Sequence, residues 1–373
     1  MKKKLYILQN GLARGGTDTF VVNLCRGLDK HEYDIVVINP SIKPDSLIRE
    51  PEIIAAGCKI MRTSPLTGIL SKFKHFYRLY KILKKGKADI FHTNVDLFNG
   101  PQLFVAWLAG VPMRVCHSHN GNQQKALVQG PTLMIRVYQS IMRWMCWHFS
   151  NRRLGCSEIA MDFLYKGHNW NHNRYPIIIN NGIDLDLYSK RNDPFVVKRD
   201  LGFTAKYHIV TVGRIIPQKN PIFIANTFVE LCKSRNDCDL VWVGDGPMKH
   251  DCELIFKEAG FLNRVHFLGQ RSDVVEILQS CDLFFMPSSF EGLGIVLIEA
   301  QAAGLPCLAS TEVPHEANCG ACLYKSLDEK TKNWVNMMND ILDKNIIMEL
   351  NETKLQKFSI HYMVEQMHRV FNS

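Results

Sequence analysis

The chain has 373 residues, 46% of them hydrophobic and 22% charged, and its 45 lysines and arginines outnumber 36 aspartates and glutamates for a net charge of +9. That composition excludes a disordered, collagenous or low-complexity protein, and the length suits two domains with separate cores. The longest apolar run, Leu103–Met113, is shorter than the roughly 18–20 residues that cross a bilayer, which excludes a spanning helix.

Met1-Lys2-Lys3-Lys4 opens like an export signal, but only Leu5–Leu8 follow before Gln9 and Asn10. That stretch is too short for export, so a cytoplasmic protein is expected. Leu5–Leu8, Asp34–Ile38, Asp89–His92, Arg114–His117, Arg152–Cys156 and Pro176–Ile179 read as strands. Patterns of helical period such as Phe20–Leu28 and Phe73–Leu83 lie between most of them. His208–Val212, Leu240–Val243, Val265–Leu268, Leu283–Pro287 and Leu305–Ala309 repeat the theme in the second half. Apolar strands alternating with helices predict two doubly wound parallel α/β domains, facing each other across a cleft at the carboxyl ends of the strands.

The seam is expected near Asp186–Phe203. Leu355–Phe371 reads as a closing helix with Phe358, Tyr362, Val364, Met367 and Phe371 largely on one side. Charge divides unevenly, +13 over residues 1–185 and −4 over the rest, so the first half should meet an anionic surface or substrate. The 12 cysteines are scattered singly and read as buried free thiols. Cys319 and Cys322 lack a second Cys/His pair at zinc-site spacing.

The loops after the strands hold the chemistry. Gln9–Asp18 reads Q-N-G-L-A-R-G-G-T-D. Gly15 and Gly16 allow close backbone approach, and Thr17 or Asp18 would cap the following helix, leaving amides free for a phosphate. A plain flexible turn is the competing reading, and the dinucleotide pattern G-x-G-x-x-G is absent. In His117-Ser118-His119-Asn120 the two histidines are expected on opposite faces of an extended chain, one of them toward the cleft; a merely solvated loop histidine is the alternative.

Gly213-Arg214 through Lys219-Asn220 leaves a strand and enters a helix started by Pro221. Arg214 and Lys219 at that helix start suit an anion, with solvated surface charge as the alternative. Gly269-Gln270-Arg271 could frame a flat base with its backbone. Glu291 follows a strand, Gly292 and Gly294 keep the turn open, and Glu299 stands about two turns down an apolar helix, where a charge needs a partner. Two carboxylates on one face could hold two diols.

E-x7-E at Glu291–Glu299, G-R-x4-K at Gly213–Lys219, G-G-x-D at Gly15–Asp18 and N-N-G-I-D-L-D-L-Y at Asn180–Tyr188 together resemble glycosyltransferase family 4. R-V-C-H-S-H-N at Arg114–Asn120 resembles its bacterial branch for capsule, exopolysaccharide and O-antigen. The resemblance implies a GT-B fold of two Rossmann-like domains: 1–187 for the acceptor, 188–354 for the nucleotide-sugar donor, and a helix at 355–373 returning to the first. It implies a retaining transferase that moves a hexose or N-acetylhexosamine from a nucleotide diphosphate sugar, preferably a UDP-sugar, to a lipid-linked glycan.

Residue by residue, the resemblance places Gly15 and Gly16 by the diphosphate or acceptor and His119 by the donor hexose. Arg214 and Lys219 fall at the leaving diphosphate; Gly213, Gln270 and Arg271 are expected in the donor site as well. Glu291 falls at the transferred sugar, Gly292, Leu293, Gly294 and Ile295 at sugar and diphosphate, and Glu299 at the ribose. Catalysis would rest on Glu291, Arg214, Lys219 and His119. Asp18 stands where the family has Glu, and Leu293 where Phe is common. No D-x-D is placed to bridge phosphates through a metal, so no metal or cofactor is expected; a nucleic-acid partner is not expected either. A sugar-nucleotide epimerase and a non-catalytic assembly protein at the membrane are the alternatives.

Ile69–Lys87 gathers Leu70, Phe73, Phe76, Tyr77, Tyr80 and Leu83 on one side of a helix, opposite Lys74, Arg78, Lys81 and Lys85. A second basic-aromatic stretch holds Arg136, Arg143, Trp144, Trp147, Arg152 and Arg153. The apolar stripe could pack on the sheet like any surface helix. With the +13 of the first half, the expectation is peripheral, salt-sensitive attachment to the anionic inner face of the plasma membrane.

Overall fold

Leu5 and Ile7 point to one face of the first strand and Tyr6 and Leu8 to the other, and all four are buried, so the strand needs cover on both sides. A computed structural model of the protein describes residues 2–13, 15–121, 132–168, 176–190 and 193–373. Arg14 of the glycine loop and residues 191–192 of the expected seam lie outside the described residues. The chain divides into two compact units, Met1–Ile183 with Lys357–Ser373, and Asp184–Gln356.

In the first unit, β1 (Lys3–Leu8) leads to α1 (Gly16–Gly27), β2 (Tyr33–Ile38), α2 (Glu50–Ala55) and β3 (Lys59–Met61). Then come α3 (Ile69–Gly86), β4 (Ile90–Thr93), α4 (Asn99–Leu108), β5 (Met113–Ser118), α5 (Leu133–Phe149), β6 (Arg152–Gly155), α6 (Glu158–Tyr165) and β7 (Pro176–Ile178). The second unit runs α7 (Leu185–Ser189), α8 (Pro194–Asp200), β8 (Tyr207–Val212), α9 (Pro221–Ser234), β9 (Cys238–Val243), α10 (Lys249–Glu258), β10 (Val265–Gly269) and α11 (Val274–Gln279). It continues through β11 (Leu283–Met286), α12 (Ile295–Ala302), β12 (Cys307–Ser310), β13 (Cys322–Lys325), α13 (Thr331–Leu342) and α14 (Glu352–Gln356), and α15 (Ile360–Phe371) returns to the first unit.

Both sheets are parallel among the described residues, ordered β3-β2-β1-β4-β5-β6-β7 and β10-β9-β8-β11-β12-β13. Strand order reverses at β1/β4 in one and at β8/β11 in the other, the switch points where loops part and ligands bind in such sheets. One core of the first unit joins Phe20 and Leu24 of α1 to Met367 and Phe371 of α15; the other lies beneath Leu79, Leu83, Leu103 and Cys146. Trp242, Phe228, Phe256 and Trp334 anchor the core of the second unit.

Several expectations need correction. The closing segment is not one helix: it breaks after Gln356, and Ser359 caps α15 by accepting the amide of Tyr362. The break lets Phe358 and Ile360 exchange backbone bonds with Ile183 (2.7 and 3.1 Å), and the buried stripe is Met363, Met367, Val370 and Phe371, with Tyr362 exposed. The edge strands β3 and β13 were not expected. The cysteines, by contrast, are the free thiols expected, all 12 of them, and Cys322 sits on β13.

On α3 the packed stripe is His75, Leu79 and Leu83, while Leu70, Phe73 and Tyr77 are 79%, 68% and 60% exposed. A histidine goes inward because both ring nitrogens find partners, Thr63 Oγ1 at 2.7 Å and Gln102 Oε1 at 2.8 Å. The more apolar stripe is thereby left outside.

Candidate functional site

At the switch point of the second unit, β8 and β11 are neighbours, so the loops that leave them run side by side. After β8 the chain turns at Gly213 (φ +148°), where a Cβ would stand 3.0 Å from the Lys219 side chain. Pro217–Lys219 forms a 3-10 turn, Asn220 takes a left-handed conformation, and α9 starts at Pro221 as expected. After β11 the loop crosses to meet that turn: Ser289 N donates to Gln218 O at 2.8 Å, and Gln218 Nε2 donates to Phe290 O at 3.3 Å.

The result is an ion pair, Lys219 Nζ to Glu291 Oε1 at 2.6 Å, with Glu291 only 6% exposed. Gln218 Nε2 approaches the second carboxylate oxygen at 3.5 Å. Arg214, by contrast, is exposed, and its guanidinium forms no hydrogen bond or ion pair among the described residues. It remains available to an incoming anion.

Gly294 takes φ +82° and caps α12, so Gly292–Gly294 form an irregular loop and Glu299 lies about one helical turn inside α12, not two. Glu291 therefore belongs to the loop and does not share a helix face with Glu299. Lys219 still joins them, since its ammonium also attracts the Glu299 carboxylate. Burial raises the Glu299 carboxyl to about 7, offset in part by Lys219 and by a hydrogen bond from the Tyr188 hydroxyl. The same burial, together with the Glu299 charge, holds the Tyr188 phenol protonated. Tyr188 is the partner that a charge on an apolar helix requires. It comes from α7, packed on α12 and tied down by Gln279 Nε2 donating to Tyr188 O (3.2 Å) and Lys190 O (2.9 Å).

Two neighbouring loops complete this edge. A Cβ at Gly244 (φ +136°) would fall 2.0 Å from Gly213 O, and one at Gly246 2.4 Å from Ile215 O. Only glycine lets the loop after β9 pass so close; Gly244-Asp245-Gly246 directly after a strand was the overlooked signal. Gly269 (φ +65°) accepts from Gly244 N at 2.8 Å, so its carbonyl is already engaged. Gln270 is exposed, and Arg271 is held by Asp273 at 2.8 and 2.5 Å.

In the first unit the glycine loop differs from expectation. Gly15 is the N-cap of α1 and Gly16 is already helical; Asp18 caps from the third helical position, closing a capping box onto the Gly15 amide, and Thr17 takes no part. The Asp18 carboxylate accepts from the amides of Gly15 and Ala13 (both 3.1 Å) and from Gln9 Nε2 (2.7 Å). It occupies amides that were expected to be open to phosphate. Burial raises its pKa, against the pull of those three bonds and of Arg49.

His117 and His119 do not point to opposite faces. Their rings lie 4.1 Å apart, because the pleat alternates at every residue and positions two apart share a face. Both are buried, and His92 stacks on the far side of His117 at 5.4 Å. Burial depresses His119 to about 3, so it is neutral and offers hydrogen bonds rather than charge. No cluster of ligands fit for a metal occurs among the described residues. Asn94 and Asp96, after β4, were missed: Asn94 Oδ1 meets His119 Nε2 at 2.9 Å, and Asp96, at φ +49°, accepts His119 N at 2.9 Å. A polar pair following a buried strand was the available signal.

Residues 14–187 match the family model for Glycosyltransferase Family 4, and residues 197–318 match that for Glycosyl transferases group 1. The putative glycosyltransferase EpsF of Bacillus subtilis is 30% identical over 345 residues, 89% of this chain and 86% of that one. The UDP-Gal:alpha-D-GlcNAc-diphosphoundecaprenol alpha-1,3-galactosyltransferase of Escherichia coli is 29% identical over 269 residues, 69% of this chain and 65% of its own. In fold, the chain is similar to Anabaena HepE, crystallised with UDP-glucose, at a TM-score of 0.82 over 99% of both chains and 16% identity.

Proposed function

Since the chain belongs to glycosyltransferase family 4, we propose that it moves a hexose or N-acetylhexosamine, with retention, from a UDP-sugar to a lipid-linked oligosaccharide of a bacterial surface polysaccharide. The observation that carries this reading is the buried Lys219–Glu291 pair at a sheet switch point, with Arg214 unengaged beside it in the same loop. Relatives support the substrates: the Escherichia coli enzyme is named for UDP-galactose and a diphosphoundecaprenol acceptor.

The chemistry follows from those groups. As the bond from the anomeric carbon to the diphosphate breaks, negative charge grows on the leaving oxygen. Arg214, Lys219 and the amide end of α12 neutralise it electrostatically. On donor binding, Lys219 exchanges its contact with Glu291 for phosphate, freeing Glu291 to accept hydroxyls of the transferred sugar. The acceptor hydroxyl attacks the face the diphosphate is leaving, its oxygen bonds to the anomeric carbon, and its proton passes to the departing phosphate. This route asks no metal of the protein, and transfer is expected to survive EDTA at an undiminished rate. Loss with EDTA and recovery with a divalent ion would overturn that part.

Glu299, holding the ribose diol, gives the proposal a pH signature. Ionised, the carboxylate accepts from both hydroxyls of the diol with charge-assisted bonds; protonated, it keeps only weaker acceptor capacity and presents a donor, and burial places that change at about 7 in the free protein. Affinity for UDP should therefore be fullest above pH 8 and fall as pH drops, about tenfold from pH 8 to pH 6. Calorimetry at both values checks this against Glu299→Gln, in which the component due to this carboxyl should be gone.

The membrane reading rests on two outward faces. Ile69, Leu70, Phe73 and Tyr77 on α3 are exposed beside Lys74, Lys81 and Lys84, and Leu133, Met134, Val137 and Trp144 on α5 are exposed beside a further basic stretch. Apolar side chains that enter the interface and lysines that meet anionic headgroups act together, each lysine contributing about 1 kcal/mol. Cosedimentation with anionic vesicles should fall with salt and again when Lys72, Lys74, Lys81 and Lys84 become Gln. Equal binding to neutral vesicles, or none to either, would contradict it.

A further inference from the structure

We propose that Gln218 is a positioning residue for Glu291: its carboxamide keeps hold of Oε2 when Lys219 turns to the diphosphate, so that Oε1 is the oxygen presented to the transferred sugar. The inference deepens the transferase reading and rests on it for the identity of the ligand.

Gln218 stands in the middle of the 3-10 turn Pro217–Lys219, directly before Lys219. From there it spans to three consecutive residues of the facing loop. Its carbonyl accepts the amide of Ser289 at 2.8 Å, and its Nε2 lies 3.3 Å from Phe290 O and 3.5 Å from Glu291 Oε2. Both neighbours of the side-chain nitrogen are acceptors, and a carboxamide nitrogen has two hydrogens to give. Turned end over end, the carboxamide would set its oxygen against two others, which repels. Phe290 O thereby steadies a donor aimed at the carboxylate.

Consecutive residues thus divide the Glu291 carboxylate between them: Lys219 takes Oε1 at 2.6 Å, and Gln218 faces Oε2. With the ammonium in place the amide contact is long, at the outer limit of a hydrogen bond. Donor binding changes the balance. Once the ammonium turns to phosphate, a carboxylate that is 6% exposed has lost its cation, and among the described residues Gln218 is the donor it has left. The amide bond then shortens, because an ionised acceptor with no rival donor strengthens it. A neutral amide suits this task better than a second cation. It has no charge to be drawn to the diphosphate, so it stays with the glutamate while Lys219 leaves. Pinned at Oε2, the carboxylate offers a sugar hydroxyl the oxygen that Lys219 vacates.

Lys219→Met imitates the departed ammonium, and thermal denaturation reads the consequence without ligand. Gln218→Leu should lower Tm about 5 °C further in Lys219→Met protein than in wild type, because only there does the carboxylate depend on the amide. A residue that merely joins the two loops through Ser289 and Phe290 would cost the same in both. Calorimetry with UDP gives the second reading. Gln218→Leu should weaken binding about tenfold in wild type, where Lys219 must abandon Glu291, and leave it unchanged in Glu291→Leu protein. Turnover at saturating donor should fall with it in the wild-type background. If Lys219→Met/Gln218→Leu does not fold, Gln218→Asn, whose amide is one methylene short of the carboxylate, makes the same comparison. Equal losses of Tm in the two backgrounds, or a loss of UDP affinity that is absent from wild type or persists without Glu291, overturn the positioning role. Unchanged turnover in Gln218→Leu overturns the presentation of Oε1 to the sugar. If wild type binds no UDP, the transferase reading and that presentation fail together, while the Tm comparison still reads the hold of Gln218 on the carboxylate.

Discussion

Lys219→Met should lower turnover at saturating donor by about 10²–10³, the loss expected when a preorganised cationic donor to a developing oxyanion is removed. The structure adds a second consequence. Glu291 is 6% exposed and has Lys219 as its ion-pair partner at 2.6 Å, so removing the ammonium leaves a buried carboxylate uncompensated. That costs about 3–5 kcal/mol of stability. The double variant Lys219→Met/Glu291→Gln should regain most of that stability but none of the turnover. Arg214→Ala tests the same charge stabilisation without this complication, because Arg214 is exposed and has no fold partner to abandon. Near-normal rates in an Arg214→Ala/Lys219→Met protein, assayed at saturating donor, would remove both cations from the mechanism.

The two glutamates should separate cleanly. Glu299 serves the ribose, which is the same in ground and transition states, so Glu299→Gln should weaken UDP binding about tenfold or more with little change in kcat. Glu291 serves the sugar that reacts, so Glu291→Gln should cut kcat by about 10²–10³. It should leave UDP binding equal or tighter, since Lys219 no longer has a carboxylate competing with the diphosphate. Calorimetry with UDP decides: equal loss of affinity in both variants contradicts the split. Tyr188→Phe should resemble a milder Glu299→Gln, because the hydroxyl that steadies the carboxylate is gone.

Much of this was legible in the sequence for a physical reason. Strands buried on both faces, such as Tyr207–Val212 and Cys238–Val243, are dominated by apolar residues on both sides, as in Leu240–Val243. The strand-to-helix loops that carry Lys219 and Glu291 are marked by glycines where a side chain would collide or the backbone turns left-handed. The edge strand β3, only Lys-Ile-Met with its outer positions exposed, has no such run and was missed. The face of α3 was misjudged because apolarity alone ranks Phe73 and Tyr77 above His75, and the two bonds that make a histidine welcome in a core come from Thr63 and Gln102, far along the chain. The pairing of Tyr188, though it lay in a recognised motif, and that of Asn94 were hidden for the same reason. Their roles are set by what lies across the fold, Glu299 and His119, not by their neighbours in sequence.

The central claim is most directly tested by incubating the protein, in EDTA, with a panel of UDP- and GDP-sugars and a bacterial lipid extract, and following sugar and nucleotide together by NMR. The account predicts one nucleoside diphosphate released for each sugar joined to lipid, with the anomeric configuration of the donor kept in the product. Conversion of a sugar nucleotide without any acceptor, an inverted product, or no transfer from any donor in the panel would contradict it.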